Sequence, residues 1–597
     1  MTTAAMPLSV DGKPAERVHW RAVWQLIKPY WISEDKWKAF GLLAAIIGLA
    51  LGMVYINVLI NLWSRDSFNA LQAKDYPEFK AQLWRFSYLA FLYIIVVIYH
   101  IYLRQALEIR WRAWMTKQYM QSWLANQAYY RIEQTRSADN PDQRIADDLN
   151  NLTTGTLMLA LEFLTSVVTL VSFIGILWSV SGPLSFALGG MDVTIPAYMV
   201  WFAVGYAILG SCAVAWIGKP LIAQNFQQQR FEANFRFGLI RIREHAEPIA
   251  LYRGEAQEQA QLQDRFARVR DNWWAIMRTT KQLNIVSTFY EQFAIIFPAL
   301  VAAPRYFSGH ISLGVYTQIG DAFGQVHDAL SWFVTAFSRL AEWKASVNRL
   351  AGFHAAVTAA RAVESGIAVN RNNIGAILVD QLVLARPDGV PLIAPLQAEI
   401  HRGQRIVVTG PAGCGKSTLF RALAGIWPYG TGSVEIPAQI SLLFVPQRNY
   451  LPIGSLRFAL AYPAAENAYK DRALLHYLER CQLDHLAGQL DTADNWSQRL
   501  SPGEQQRLAF VRVLLARPDV VFLDEASSAL DAASEEALYS LLLRELPEAA
   551  IISIAHREHV AKFHQIRWQF VHENAAGHEE EDRSVPPRYT IQRSRLS

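Results

Sequence analysis

Long apolar runs crowd the first 350 residues of the chain and are missing from the rest. A helix that crosses a bilayer needs about 20 predominantly apolar residues. Six stretches meet that length: 39–61, 86–103, 157–180, 197–218, 284–307 and 314–337. The first contains FGLLAAIIGLALGMVYINVLI, without a single charge. The third carries Glu162, and the last two are interrupted by Glu291, Asp321, His327 and Asp328. The pattern predicts a polytopic α-helical membrane domain over residues 1–350, with six spans. A linker over 351–371, an α/β domain over 372–575 and a charged, Pro-containing, disordered tail over 576–597 are expected to follow.

Basic residues orient such a domain, because Lys- and Arg-rich loops stay on the cytoplasmic side. The segment between the second and third stretches carries Arg104, Arg110, Arg112, Lys117, Arg131, Arg136 and Arg144, and that between the fourth and fifth carries eleven Lys and Arg. The loop SGPLSFALGGMDVTIP has none. Both termini and the two long basic loops are therefore expected in the cytoplasm. Residues 1–36 show no cleavable apolar core. Helical spacing through 104–135 and 225–280 makes these loops extensions of the spans. A net charge of +4 gives no reason to expect a nucleic-acid partner. Cys212, Cys414 and Cys481 lie too far apart in sequence to suggest a disulfide framework or a metal knuckle.

The soluble half contains RIVVTGPAGCGKST at 405–418. A β-rich run leads into Gly410, Gly413 and Gly415, and Lys416, Ser417 and Thr418 open a helical pattern. This is the strand–loop–helix context of a phosphate-binding loop, whose N–H groups surround phosphate oxygens. Lys416 is then expected to reach the outer phosphates of ATP and Ser417 to hold Mg²⁺. Cys414, inside the loop, reads as tolerated rather than catalytic. Further on, PDVVFLDEASSALD ends an apolar strand in Asp524 and Glu525. Asp524 suits the outer coordination of Mg²⁺, and Glu525 can polarise an attacking water.

Between them stands LSPGEQQRLAF, from Leu500. It resembles the signature motif of ATP-binding cassette proteins. Gln447 in FVPQRNY, Ser528 to Asp531 and His556 in SIAHR match the Q-loop, D-loop and switch histidine of that family, in the family's order. The resemblance implies an ATP hydrolase coupled to transport, with Gln447, Glu525 and His556 catalytic, Gln447 also near the metal, and Ser501, Gly503, Glu504 and Asp531 contributing to ATP binding. Pro502 and Glu504 depart from the usual glycine and glutamine. Where the family has an aromatic on adenine, this chain has Arg386. It is a candidate for stacking through its planar guanidinium, and a solvated surface arginine is the other reading.

Six spans and one cassette resemble an exporter-like half-transporter. The resemblance implies a homodimer in the lipid bilayer, with the signature of each copy closing on the phosphate loop of the other. It also implies coupling helices near 139–149 and 230–255. NPDQRIADDL, EPIALYRGE and SFNALQ resemble the branch of SbmA/BacA-like peptide transporters of the bacterial inner membrane, which is related to peroxisomal acyl-CoA transporters. That branch implies import of peptides or other bulky polar cargo. Glu162, Glu291, Asp321 and Asp328 are expected to line an acidic cavity for cationic cargo, with a salt bridge from Glu291 to His327 or Arg305 as the competing reading. Lipid or acyl-CoA export and an ATP-gated regulatory membrane protein are the alternative functions.

Overall fold

The structure is a computed structural model describing residues 20–135, 137–138, 140–188, 191–372, 375–573 and 589–596. It divides between Arg361 and Ala362 into two compact units.

The first unit is helical. It comprises α1 (Trp20–Trp31), α2 (Lys36–Ala73), α3 (Tyr76–Leu124), α4 (Ala128–Thr135), the short turn α5 (Pro141–Gln143) and α6 (Leu149–Ser181). A hairpin, β1 (Leu184–Leu188) with β2 (Met191–Ile195), follows, and then α7 (Tyr198–Glu244), α8 (Ala246–Tyr252), α9 (Glu255–Phe307) and α10 (Leu313–Ala362). Among the described residues, five helical segments are long and apolar enough to cross a membrane: those built on α2, α3, α6, α7 and α9. The sixth expected span, 314–337, lies in α10, which is not among them. Gln318, Asp321, Gln325, His327 and Asp328 break its apolar run.

Between apolar helices in lipid there is little hydrophobic driving force, so packing and polar ties hold them. Asn61 of α2 and Gln318 of α10 exchange hydrogen bonds of 3.3 and 3.1 Å. The end of α2 also caps α10, where the Leu313 and Gly314 N–H groups donate to Gln72 Oε1 and Asn69 Oδ1 at 2.7 and 2.9 Å. Asp148 is buried, accepts from Arg144 at 2.9 Å and pairs with Arg349 of α10. The 139–149 stretch, where a coupling helix is expected, thus packs its last acid inward; Asp139 lies outside the described residues.

The second unit opens with β3 (Ile367–Asn372), β4 (Ile377–Leu384), β5 (Leu396–Ile400), β6 (Arg405–Thr409) and α11 (Lys416–Leu423). It continues with β7 (Gly430–Pro437), β8 (Leu442–Val445), β9 (Gly454–Ser455), α12 (Leu456–Ala461), α13 (Asp471–Arg480), β10 (Ala493–Asp494) and α14 (Trp496–Arg499). Then come α15 (Pro502–Ala516), β11 (Val520–Asp524), α16 (Ala532–Glu545), β12 (Ala550–Ile554), β13 (Ile566–His572) and β14 (Tyr589–Arg595). The six-stranded sheet runs β14-β13-β6-β12-β11-β8 and is parallel except for β14. Its central strands are buried on both faces, as near-continuous Val, Ile and Leu runs require. A four-stranded sheet, β3-β7-β4-β5, closes the same core. A second core, around Trp496, Phe510 and Leu538, joins α12, α13, α15 and α16. Each fully buried Leu or Phe there contributes about 1.5–3 kcal/mol relative to exposure.

Two boundaries differ from the sequence reading. The expected linker 351–371 comprises the last turns of α10, a short connection over 363–366 and the start of β3. Buried Phe353, Val357 and Ala360 pack against Ala128 and Ile132, which extends the helix. The expected disordered tail holds an edge strand, Tyr589–Arg595, whose Ile591 packs on the core beside β13. Residues 576–588 lie outside the described residues.

Candidate functional site

Four loops leave the C-terminal ends of four adjacent parallel strands, where ligands bind in open α/β sheets. From β6 comes the phosphate loop, from β8 Gln447, from β11 Asp524 and Glu525, and from β12 His556. Strand adjacency is what gathers residues 447, 524–525 and 556 beside 410–418.

In the phosphate loop Gly410, Gly413 and Gly415 have φ of 149°, 77° and 105°. At Gly410 a Cβ would also come 2.7 Å from Phe570 Cβ, so only glycine fits. The loop wraps buried Lys416, whose ammonium donates to Gly410 O at 2.8 Å and Pro411 O at 2.7 Å. Cys414 is fully buried beneath it, and burial pushes its thiol pKa up, which fits an inert role. Ser417 Oγ donates to Asp524 Oδ1 at 3.1 Å. Burial holds the Asp524 carboxyl above its ordinary range, opposed by the Ser417 hydrogen bond and reinforced by the Glu525 charge. A hydroxyl beside a carboxylate is an all-oxygen pair that fits Mg²⁺, which keeps several waters and takes few protein ligands.

Glu525 sits in the left-handed region, φ 49°, with its N–H donating to Ile554 O at 3.1 Å. Such a backbone is sparsely populated for a side chain this long. It aims the carboxylate between two partners: Gln447 Nε2 donates to Oε2 at 2.8 Å, and His556 Nε2 meets Oε1 at 2.9 Å. A carboxylate fixed this way can accept a proton from a water without reorienting.

The signature residues stand elsewhere. Ser501 caps α15 in a reciprocal box: the Glu504 N–H donates to Ser501 Oγ at 3.3 Å, and Ser501 N donates to Glu504 Oε2 at 2.8 Å. The Ser501 hydroxyl donates to the same oxygen at 2.7 Å. These bonds hold the Glu504 carboxyl below its usual range. Gly503 packs beside Ala529, and Asp531 caps α16 through Ser534 N at 3.3 Å. Among the described residues no hydrogen bond joins Ser501, Gly503 or Glu504 to the phosphate loop. Arg386 is exposed, in a turn closed by Arg386 N to Val390 O at 2.8 Å.

Sequence reasoning missed two supports. His485 Nε2 pairs with Glu504 Oε1 at 2.8 Å. Gln506 ties the signature helix to the loop after β11, donating to Ser528 Oγ at 3.1 Å and accepting from Ala529 N at 2.8 Å. For Gln506 the signal was its place two residues after Glu504; for His485 there was none.

In the membrane unit Glu291, Asp321 and Asp328 line one cavity of about 660 Å³, with Asn57, Asn61 and His327. His327 contacts Asp328 at 3.1 Å and Arg305 reaches Ser181 O, so neither is the partner of Glu291. Among the described residues Glu291 makes no ion pair or hydrogen bond. Glu162 does not line this cavity. It pairs with Arg339 at 2.7 Å and accepts from Trp332 Nε1 at 3.0 Å, which makes it a helix tie rather than a cavity acid.

Comparison with known proteins agrees with this geometry. Residues 26–307 match the ABC transporter transmembrane region 2 family and residues 393–528 the ABC transporter ATPase family. ABC transporter D family member 2, chloroplastic, of Arabidopsis thaliana is 32% identical over 619 residues, covering 91% of this chain and 85% of that protein. The inner membrane ABC transporter ATP-binding protein YddA of Escherichia coli is 32% identical over 536 residues, covering 89% and 94%. A bacterial Atm1-family ABC exporter with ATP bound has the same fold, with a TM-score of 0.66 at 15% identity over 88% of this chain and 93% of that one. The chain thus belongs to the ATP-binding cassette transporters, as a multi-pass half-transporter related to the D-family members, with a membrane region fused to an ATPase that uses ATP and Mg²⁺ to drive transport.

Proposed function

We propose that the protein is an ATP-driven importer of cationic peptides or similarly bulky polar cations, working as a homodimer in a bacterial inner membrane. The observation that carries this reading is the group Glu291, Asp321 and Asp328 around one cavity. All three are exposed in the single chain. Ionisable groups inside a membrane face a bundle interior or a wet cavity, because lipid solvates them poorly. A second copy across the cavity doubles the acids and encloses them. Such a field favours cations and disfavours an anionic acyl cargo.

In the ATPase, Lys416 and the loop N–H groups hold phosphates, Ser417 and Asp524 hold Mg²⁺, and Gln447, Glu525 and His556 position and deprotonate the attacking water. Ser501, Gly503 and Glu504 of one copy close on ATP bound by the other. That arrangement is supported by the complete set of motifs in one chain, and among the described residues the signature makes no hydrogen bond to its own phosphate loop. The basic loops support cytoplasmic termini, and NPDQRIADDL and EPIALYRGE support the peptide-importing branch. The test is uptake of a labelled cationic peptide by cells lacking their own importer, comparing wild type with Glu525→Gln. Uptake that the substitution abolishes supports the reading; no uptake by a well-expressed, ATP-hydrolysing wild type overturns the cargo and direction.

A further inference from the structure

A nucleotide whose phosphates lie on residues 410–418 must lead its base out past the segments that flank the loop. One such segment is the turn after β4. Leu392, at its far end, comes within 4.0 Å of where a Cβ on Gly415 would lie. This segment, LARPDGVPLIA, has no aromatic residue to grip a base. A base lying against this turn would meet the turn's own backbone and the exposed Arg386, so its placement would depend on how firmly the turn is held.

Both ends of the turn are pinned. At the near end Ala385 N donates to Tyr429 O at 3.1 Å, and Trp427 Nε1 donates to Ala385 O at 3.0 Å. Across its neck Leu392 N donates to Leu384 O at 2.7 Å. The far end is pinned from the C-terminal strand. Tyr589 N donates to Leu392 O at 3.0 Å and Ala394 N donates to Tyr589 O at 2.8 Å, a parallel bridge to Ile393. The Tyr589 ring meets the His572 ring edge-on at 5.5 Å and packs, with Leu392, against the core cluster that contains Cys414. One residue of β14 therefore spans from the sheet edge to the turn beside the phosphate loop.

We infer that the C-terminal strand completes the base side of the ATP site, with Tyr589 as the positioning residue that holds the 385–394 turn against the phosphate loop. This rests on ATP binding at that loop. Anchoring the turn fixes where the adenine ring lies without touching the phosphates, so the strand discriminates between a nucleotide and its bare phosphate chain.

The experiment uses the full chain in lipid nanodiscs, with the Kd of radiolabelled ATP and its displacement by inorganic tripolyphosphate. Tyr589→Pro removes the N–H that reaches Leu392, at the first residue of an edge strand, where proline is tolerated. Its ATP Kd is expected to rise about tenfold, with tripolyphosphate affinity unchanged. Tyr589→Ala keeps both backbone bonds and loses only the ring; a selective rise of about threefold is expected, which keeps the test open if the proline variant fails to fold. Affinities unchanged for both ligands, or weakened equally for both, overturn the inference. Lys416→Ala is the control for the phosphate loop itself: it weakens both ligands if ATP sits there, and leaves both unchanged if that premise is wrong.

Discussion

Glu525 and His556 meet at 2.9 Å although they leave different strands, because β11 and β12 lie side by side in parallel register. Gln447, from the strand on the other side of β11, completes the pair at 2.8 Å. Replacing Glu525 by Gln keeps the volume and removes the basic carboxylate. ATP turnover is expected to fall by a factor of about 10² or more, with ATP affinity near wild type. Steady-state hydrolysis alongside equilibrium nucleotide binding checks this. Turnover within a few fold of wild type would remove Glu525 from the reaction.

Lys416 is buried with its ammonium on two loop carbonyls, so it shapes the loop as well as carrying charge toward phosphate. Lys416→Ala leaves those carbonyls without a partner, and ATP affinity should drop at least tenfold, about 1.4 kcal/mol or more. Titration with labelled ATP measures it. Lys416→Arg should not restore binding, because a planar guanidinium cannot replace a compact ammonium inside this loop.

The ATPase motifs were legible in sequence because their chemistry demands fixed residue types at short spacing, as in residues 410–418 and 524–525. Their convergence was implied only by the family resemblance, since it depends on strand order. Tyr589 and His485 carried no local pattern: one acts through backbone bonds to a segment far away in sequence, the other through a single ion pair. The acids of the membrane unit show the same limit. Glu162 and Glu291 look alike as carboxylates within apolar runs. Only the placement of Arg339 and Trp332 separates a tie from a cavity residue.

His564 is expected to give the ATPase domain a dependence on pH. It is buried, contacts Ser553 Oγ and Val560 O at 2.9 Å, and burial pushes its pKa from 6.5 down to about 4. The unfolded chain takes up this proton as pH falls through 6.5, whereas the folded domain resists until about 4. The contribution of His564 to stability is therefore fully present above pH 6.5 and is lost between those values, by about 3 kcal/mol at about 1.4 kcal/mol per pH unit. The thermal midpoint of the full chain's ATPase-domain transition, followed from pH 7.5 to about 4.5, should fall more steeply for wild type than for His564→Gln. Parallel curves would show that this imidazole does not govern the decline.

Glu291 and Glu162 should respond in opposite ways to the same isosteric change. Glu162→Gln leaves the Arg339 guanidinium without its carboxylate. The pair is about one-third exposed, so the loss is moderated by solvent to about 1–2 kcal/mol, seen as lower thermal stability and yield. Glu291→Gln breaks no ion pair among the described residues, so yield, dimer content and basal ATP hydrolysis should hold. If Glu291 attracts cationic cargo into the cavity, removing its charge should reduce peptide uptake several-fold, with the larger effect at low peptide concentration and low salt, where attraction is least screened. Uptake, basal hydrolysis and size-exclusion profile of the two variants decide the matter together. A dimer that falls apart with Glu291→Gln would make that carboxylate structural, and unchanged uptake would take it out of the cargo path.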